Sequence, residues 1–175
     1  MFGIFFVIFL SIATQVLGGG ENKPIRLESD EIKIRKNENL MVFTGKVKAE
    51  QAELNIFSDR MVVKYRNIGD GKIDINSIRA RGNVVLKNKT IVARSDEALY
   101  DFKKQIITLD GNVILNEKDA VVFGDKLFYN IATDETSIEG SKTKKKNGNG
   151  EDTSNKRVTI ILDNIKDIKG RYDGE

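Results

Sequence analysis

Between Leu27 and Gly140 apolar and polar side chains alternate, and no stretch sustains a helical period. The alternation is phased on two markers. Glycines stand at Gly45, Gly82, Gly111 and Gly140, and aspartates at Asp30, Asp59, Asp96 and Asp125. An aspartate follows each of the first three glycines by 14 residues. The next glycine follows each aspartate by 15, 23, 15 and 15 residues. A period of 29 residues, with one eight-residue insertion around 67–73, accounts for all of them. Four and two residues before the glycines stand Met41 and Phe43, Ile78 and Ala80, Ile107 and Leu109; two and four after them stand Val47 and Ala49, Val84 and Leu86, Val113 and Leu115. Five and three before the aspartates come Leu54 and Ile56, Ile91 and Ala93, Ala120 and Val122. Two and four after them come Ile32 and Ile34, Met61 and Val63, Ala98 and Tyr100, Leu127 and Tyr129. Period two predicts half-buried strands, and an internal repeat of strand pairs predicts an all-β sandwich, jelly roll or solenoid. Terminal strands are expected at about 25–34 and 158–162.

The markers have structural work to do. A glycine at a fixed place in a strand pattern permits a bulge or a sharp local twist. The aspartate, preceded by serine in three copies and by Gly124 in the fourth, is expected to hydrogen-bond nearby backbone where two strands join. A row of calcium-binding or catalytic carboxylates is the competing reading. Calcium repeats are shorter and denser in Gly and Asp, and residues at one repeat phase share one environment, whereas acid–base pairs need two unlike ones. No metal site is predicted. Apolar residues of the other parity, Val85, Val92, Leu99, Val121, Phe123 and Phe128, leave two arrangements open. They lie at edges or against an adjoining sheet, or the sheets stay apart around an apolar groove suited to an acyl chain.

Composition narrows the chemistry. The 175 residues include no His, Cys or Trp. Ser-His-Asp and Cys-His catalysis, Cys/His zinc sites, disulfides and thiol redox chemistry are therefore excluded. An enzyme would rely on carboxylates outside the repeat register, and Asp70, Asp74 and Glu117 are the loose candidates, with nothing in the sequence to group them. No enzyme and no cofactor is expected. The formal charge of +3 is uneven: across 141–157 six basic residues stand against two acidic ones. That stretch has no apolar anchor and reads as a polar flexible linker. Its Lys144–Lys146 run lacks interleaved aromatics, so nucleic acid is not an expected partner.

The N-terminus, MFGIFFVIFLSIATQVLGGG, carries a short apolar run followed by small residues. Residues 1–20 read as a secretory signal peptide, with an uncleaved anchor as the alternative, although no basic residue precedes the run. Residues 164–175 read as a C-terminal tail.

Three stretches, VFTGKVKAEQAELNIFSDRMVVKY (42–65), IRARGNVVLKNKTIVARSDEALYD (78–101) and LDGNVILNEKDAVVFGDKLFYN (109–130), together with SIEG (137–140), resemble the OstA-like domain family. KRVTIIL (156–162) resembles that family's last strand. The resemblance implies an OstA-like domain over 21–163, an antiparallel β-jelly-roll with a V-shaped cross-section. It also implies a periplasmic carrier whose apolar interior shields the acyl chains of lipid A in lipopolysaccharide. Its implied partners are lipopolysaccharide, further copies of itself head to tail, an inner-membrane bitopic component and the N-terminal domain of an outer-membrane translocon. The inward positions then expected against acyl chains are Ile32, Ile34, Leu54, Ile56, Met61, Val63, Val84, Leu86, Ile91, Ala93, Tyr100, Val113, Leu115, Val122, Leu127 and Tyr129. A structural β-solenoid scaffold without lipid cargo is the alternative.

Overall fold

A computed structural model describes residues 23–140, 142–147, 150–155 and 157–162. The alternating segments are strands: β1 (Ile25–Glu28), β2 (Glu31–Arg35), β3 (Leu40–Gln51), β4 (Leu54–Gly69), β5 (Lys72–Lys87), β6 (Ile91–Asp101), β7 (Ile106–Glu117), β8 (Ala120–Asn130), β9 (Glu135–Glu139), β10 (Lys142–Asn147), β11 (Gly150–Asn155) and β12 (Thr159–Leu162). Ten of them make one antiparallel sheet in the order β1-β3-β4-β5-β6-β7-β8-β12; β2 also pairs with β3, and β9 with β8. The fold is all-β and jelly-roll-like. The expected terminal strand at 25–34 is two strands broken at Ser29 and Asp30.

The long strands cross a line of irregularity that divides the sheet into two halves. In the β3–β4, β5–β6 and β7–β8 hairpins two residues on the glycine strand oppose one on the aspartate strand: residues 45 and 46 against 59, 82 and 83 against 96, 111 and 112 against 125. Both bulged residues are left-handed, as at Gly82 (φ 77°) and Asn83 (φ 47°). Glycine is required there for a second reason. A Cβ on Gly82 would stand 2.5 Å from Asp59 Oδ2, and Gly45 and Gly111 face Asp30 and Asp96 in the same way. Asp30 does stand where β1 and β2 join, but Asp59 and Asp96 sit in mid-strand; all three pack on the glycine of the neighbouring strand. Asn83 and Asn112 each donate from Nδ2 to that carboxylate at 2.8 Å. The preceding serines, Ser29, Ser58 and Ser95, donate to the carbonyl two residues on.

The fourth copy departs from the other three. Gly124 replaces the serine, and a Cβ there would run into Ile138 Cγ2. Gly140 is not a bulge within a described strand: β9 ends at Glu139, one residue before it. The chain instead leaves the sheet at this point and returns as β12 on the other half of β8. The excursion contains β10 and β11, which pair with each other and with no other described strand. Where the sequence reads as a linker, the backbone forms this separate ribbon. The eight-residue insertion lengthens a hairpin. β4 and β5 have 16 residues each and turn at Asp70 and Gly71, both at positive φ.

Candidate functional site: the interior of the folded sheet

Cross-strand partners share a face, so the register gives the composition of the interior row by row. In the half carrying β1 and β12, one row runs Leu27, Ala49, Ile56, Leu86, Ala93, Leu115, Val122, Ile160. In the half carrying β2 and β9, one row runs Ile32, Phe43, Met61, Ala80, Ala98, Leu109, Leu127, Ile138, and the next runs Ile34, Met41, Val63, Ile78, Tyr100, Ile107, Tyr129, Thr136. The halves fold onto each other about the glycine–aspartate line, and their rows merge into one buried cluster. Met61, Val63, Leu86, Ile107, Leu109 and Leu127 are fully buried within it.

Of the sixteen positions expected to face inward, twelve belong to this buried cluster. Ile32, Leu54 and Val122 are half-buried against it. Ile34 is the exception, 52% exposed although it pairs with Met41 on the inner face. It lies on β2, an outermost strand, and no described strand pairs with its far side. Ile160, on the inner row of β12, is 57% exposed for the same reason at the opposite edge. Inner-row apolar side chains are thus exposed at both edges of the sheet, Ile34 ending a row of one half and Ile160 a row of the other. Between the edges the interior is filled by its own side chains, in place of the open groove. The opposite-parity residues Val85, Val92, Leu99, Val121 and Phe128 are half-buried on the outer face, where Phe123 is 38% exposed.

At the ends of the halves, away from the bulge line, polar side chains reach across the gap. The Tyr100 hydroxyl donates to Gln51 Oε1 at 3.2 Å. Asn88 Nδ2 donates to the Tyr129 hydroxyl at 3.0 Å, and that hydroxyl donates to Asp134 Oδ1 at 2.9 Å. Burial pushes the Tyr100 phenol up to about 12. Tyr129 is also raised, first by burial and then by its bond to Asp134. The alternating pattern identified both tyrosines as inward but gave no hint of Gln51 or Asn88. The one local signal was at Asn88, whose side chain closes its own turn by accepting from the Thr90 and Ile91 amides at 2.8 and 3.0 Å.

The carboxylates considered for acid–base chemistry do not converge. Asp74 is paired with Arg66 at 2.7 Å, Asp70 is in the β4–β5 turn, and Glu117 ends β7 in the other half of the sheet. Among the described residues no group of three or more His, Cys, Asp or Glu is placed to hold a metal ion. No described helix is long and apolar enough to cross a membrane. The expected signal peptide and the C-terminal tail lie outside the described residues.

Comparisons with known proteins agree with this architecture. The fold is similar to the crystal structure of LptH, the LptA-homologous periplasmic component of the lipopolysaccharide transport device of Pseudomonas aeruginosa, with a TM-score of 0.64. That match covers 80% of this chain and 95% of the other at 14% identity, and it bears on the fold alone. An uncharacterized protein of Rhizobium meliloti, R00383, is 28% identical over 92 residues. The chain spans about half the length of that curated relative. The model of the LptA/(LptD N-terminal domain) LPS transport protein family matches residues 26–135, which is most of the sheet and all three glycine–aspartate bulges. The chain belongs to this lipopolysaccharide transport family.

Proposed function

We propose that the chain is a periplasmic lipopolysaccharide carrier of the LptA type. Its interior shields lipid A acyl chains, and copies stacked head to tail bridge the inner and outer membranes. The bridge meets a bitopic inner-membrane component at one end and the N-terminal domain of an outer-membrane translocon at the other. No reaction is catalysed by the chain itself. One observation carries the reading: an inner row of one half is exposed at Ile34 on the β2 edge, and an inner row of the other half is exposed at Ile160 on the β12 edge. The two edges are unlike, β1 with β2 against β12 with β9. A contact between unlike edges is heterologous and adds copies without closing. Such stacking would make the rows of successive copies continuous. Membership in the transport family supports the same cargo.

The packed interior favours a second reading, a structural scaffold without lipid. Photo-crosslinking to purified lipopolysaccharide separates the two. A photoreactive residue at Ile56 or Ile91, both buried, is expected to give adducts, whereas exposed Lys87 and Lys118 give none. A folded protein that labels at none of the four supports the scaffold.

A further inference from the structure

We propose that the Gln51–Tyr100 and Asn88–Tyr129 hydrogen bonds form a latch that holds the open side of the folded sheet shut. This inference rests on the carrier reading only for its purpose, which is to admit acyl chains. Both bonds join opposite halves. Gln51 and Asn88 lie at the β3 and β5 ends of one half, and Tyr100 and Tyr129 project from β6 and β8 of the other. Both stand on the side away from the bulge line, where separation of the halves must begin.

Each polar partner is itself held in place. The Gln51 amide also donates from Nε2 to the Lys23 carbonyl at 3.1 Å, so its oxygen is directed at Tyr100. The Asn88 oxygen is occupied by two amides of its own turn, which leaves its Nδ2 for Tyr129. Phe102 stacks on Tyr100, with ring centroids 3.9 Å apart, and fixes the ring. Beneath the Gln51–Tyr100 bond a small apolar gap is lined by Ile25, Leu54, Ile56 and Ile78. Below it lie the fully buried side chains of the inner rows, Leu86 and Ile107 among them, so an acyl chain reaches them from this side only if the halves part.

Apolar contact alone would let the mouth open gradually. Two directional bonds between fixed partners, each with a net worth near that of an ordinary hydrogen bond, make the closed state a distinct one. Tyr100→Phe with Tyr129→Phe removes both hydroxyls and keeps both buried rings. The expected result is a roughly thirtyfold shift of the closed–open ratio toward open.

The chain has no cysteine, so spin labels can be placed at will. Labels at Glu53 and Lys103, in turns on opposite lips, report the width of the mouth by electron–electron distance measurement on the full chain. Without lipid, the wild-type pair is expected to give one short distance and the double variant a second, longer population. An unchanged distribution in a double variant that melts cooperatively overturns the latch, whatever the protein binds. Purified lipopolysaccharide is then added to both. If the wild type shifts to the longer distance, the carrier reading holds and the latch is its gate. If the variant opens but lipopolysaccharide moves neither protein, the latch stands and the carrier reading fails.

Discussion

Replacing Gly82 with alanine tests why the repeat needs glycine. Two costs separate cleanly in the structure. The first is backbone: φ at Gly82 is 77°, a region where an L side chain costs about 1–2 kcal/mol. The second is contact: the new Cβ would stand 2.5 Å from Asp59 Oδ2 and 3.2 Å from its Cβ and Cγ. The aspartate cannot simply swing away, because Asn83 donates to that same oxygen at 2.8 Å. Its displacement adds about 1–2 kcal/mol for the lost charge-assisted bond and the local rearrangement. Gly82→Ala should therefore cost about 2–4 kcal/mol. Gly71 is the control: φ is 71° there, and nothing lies within 4 Å of a Cβ. Gly71→Ala should cost only the backbone part. Urea denaturation followed by far-ultraviolet circular dichroism measures both. In an Asp59→Ala background, which removes the carboxylate and leaves only the Cβ at 3.2 Å, the Gly82→Ala cost should fall toward that of Gly71→Ala, by double-mutant cycle. Equal costs for Gly71→Ala and Gly82→Ala in the wild-type background, or strict additivity with Asp59→Ala, would refute the close approach as the reason for glycine.

Other perturbations read other parts of the molecule. Leu86→Ala empties a fully buried site between Ile56 and Ala93 and should cost about 2–5 kcal/mol in the same assay, while Lys87→Ala beside it costs under about 0.5. Ile160→Lys places a charge on the uncovered end of the inner row, and sedimentation should show self-association weakened with monomer stability unchanged. Tyr100 is raised from 10.0 to about 12 by burial, so the unfolded chain loses its proton first as pH rises. Its contribution to stability is complete below pH 10 and is lost as pH rises toward 12, by about 1–2 kcal/mol after discounting its partly solvated hydroxyl. The stability advantage of wild type over Tyr100→Phe should accordingly shrink between pH 9 and 11.5; a constant gap would show that Tyr100 titrates normally.

Much of the architecture follows from local sequence. Side chains alternate faces in any strand, so inward positions can be read from the residues alone. The change of parity across each aspartate, from Leu54 and Ile56 to Met61 and Val63, already records the bulge that turns the sheet. The repeated glycine marks the same line from the neighbouring strand. What local pattern cannot specify is which distant groups meet. Asp59 packs on Gly82, 23 residues ahead, although Gly45 is nearer at 14. Gln51 meets Tyr100 across 49 residues, and Asn88 meets Tyr129 across 41. These contacts exist only once the two halves have folded together. The same closure separates Val63, fully buried, from Ile34, on the same inner row but left at an uncovered edge. In the fourth copy an excursion follows Glu139 in place of a bulge at Gly140, and among the described strands β9 pairs with β8 alone. The face of each side chain is a property of its own strand. Burial, closure and the lips of the mouth belong to the assembled sheet, because they depend on which strands neighbour and cover one another.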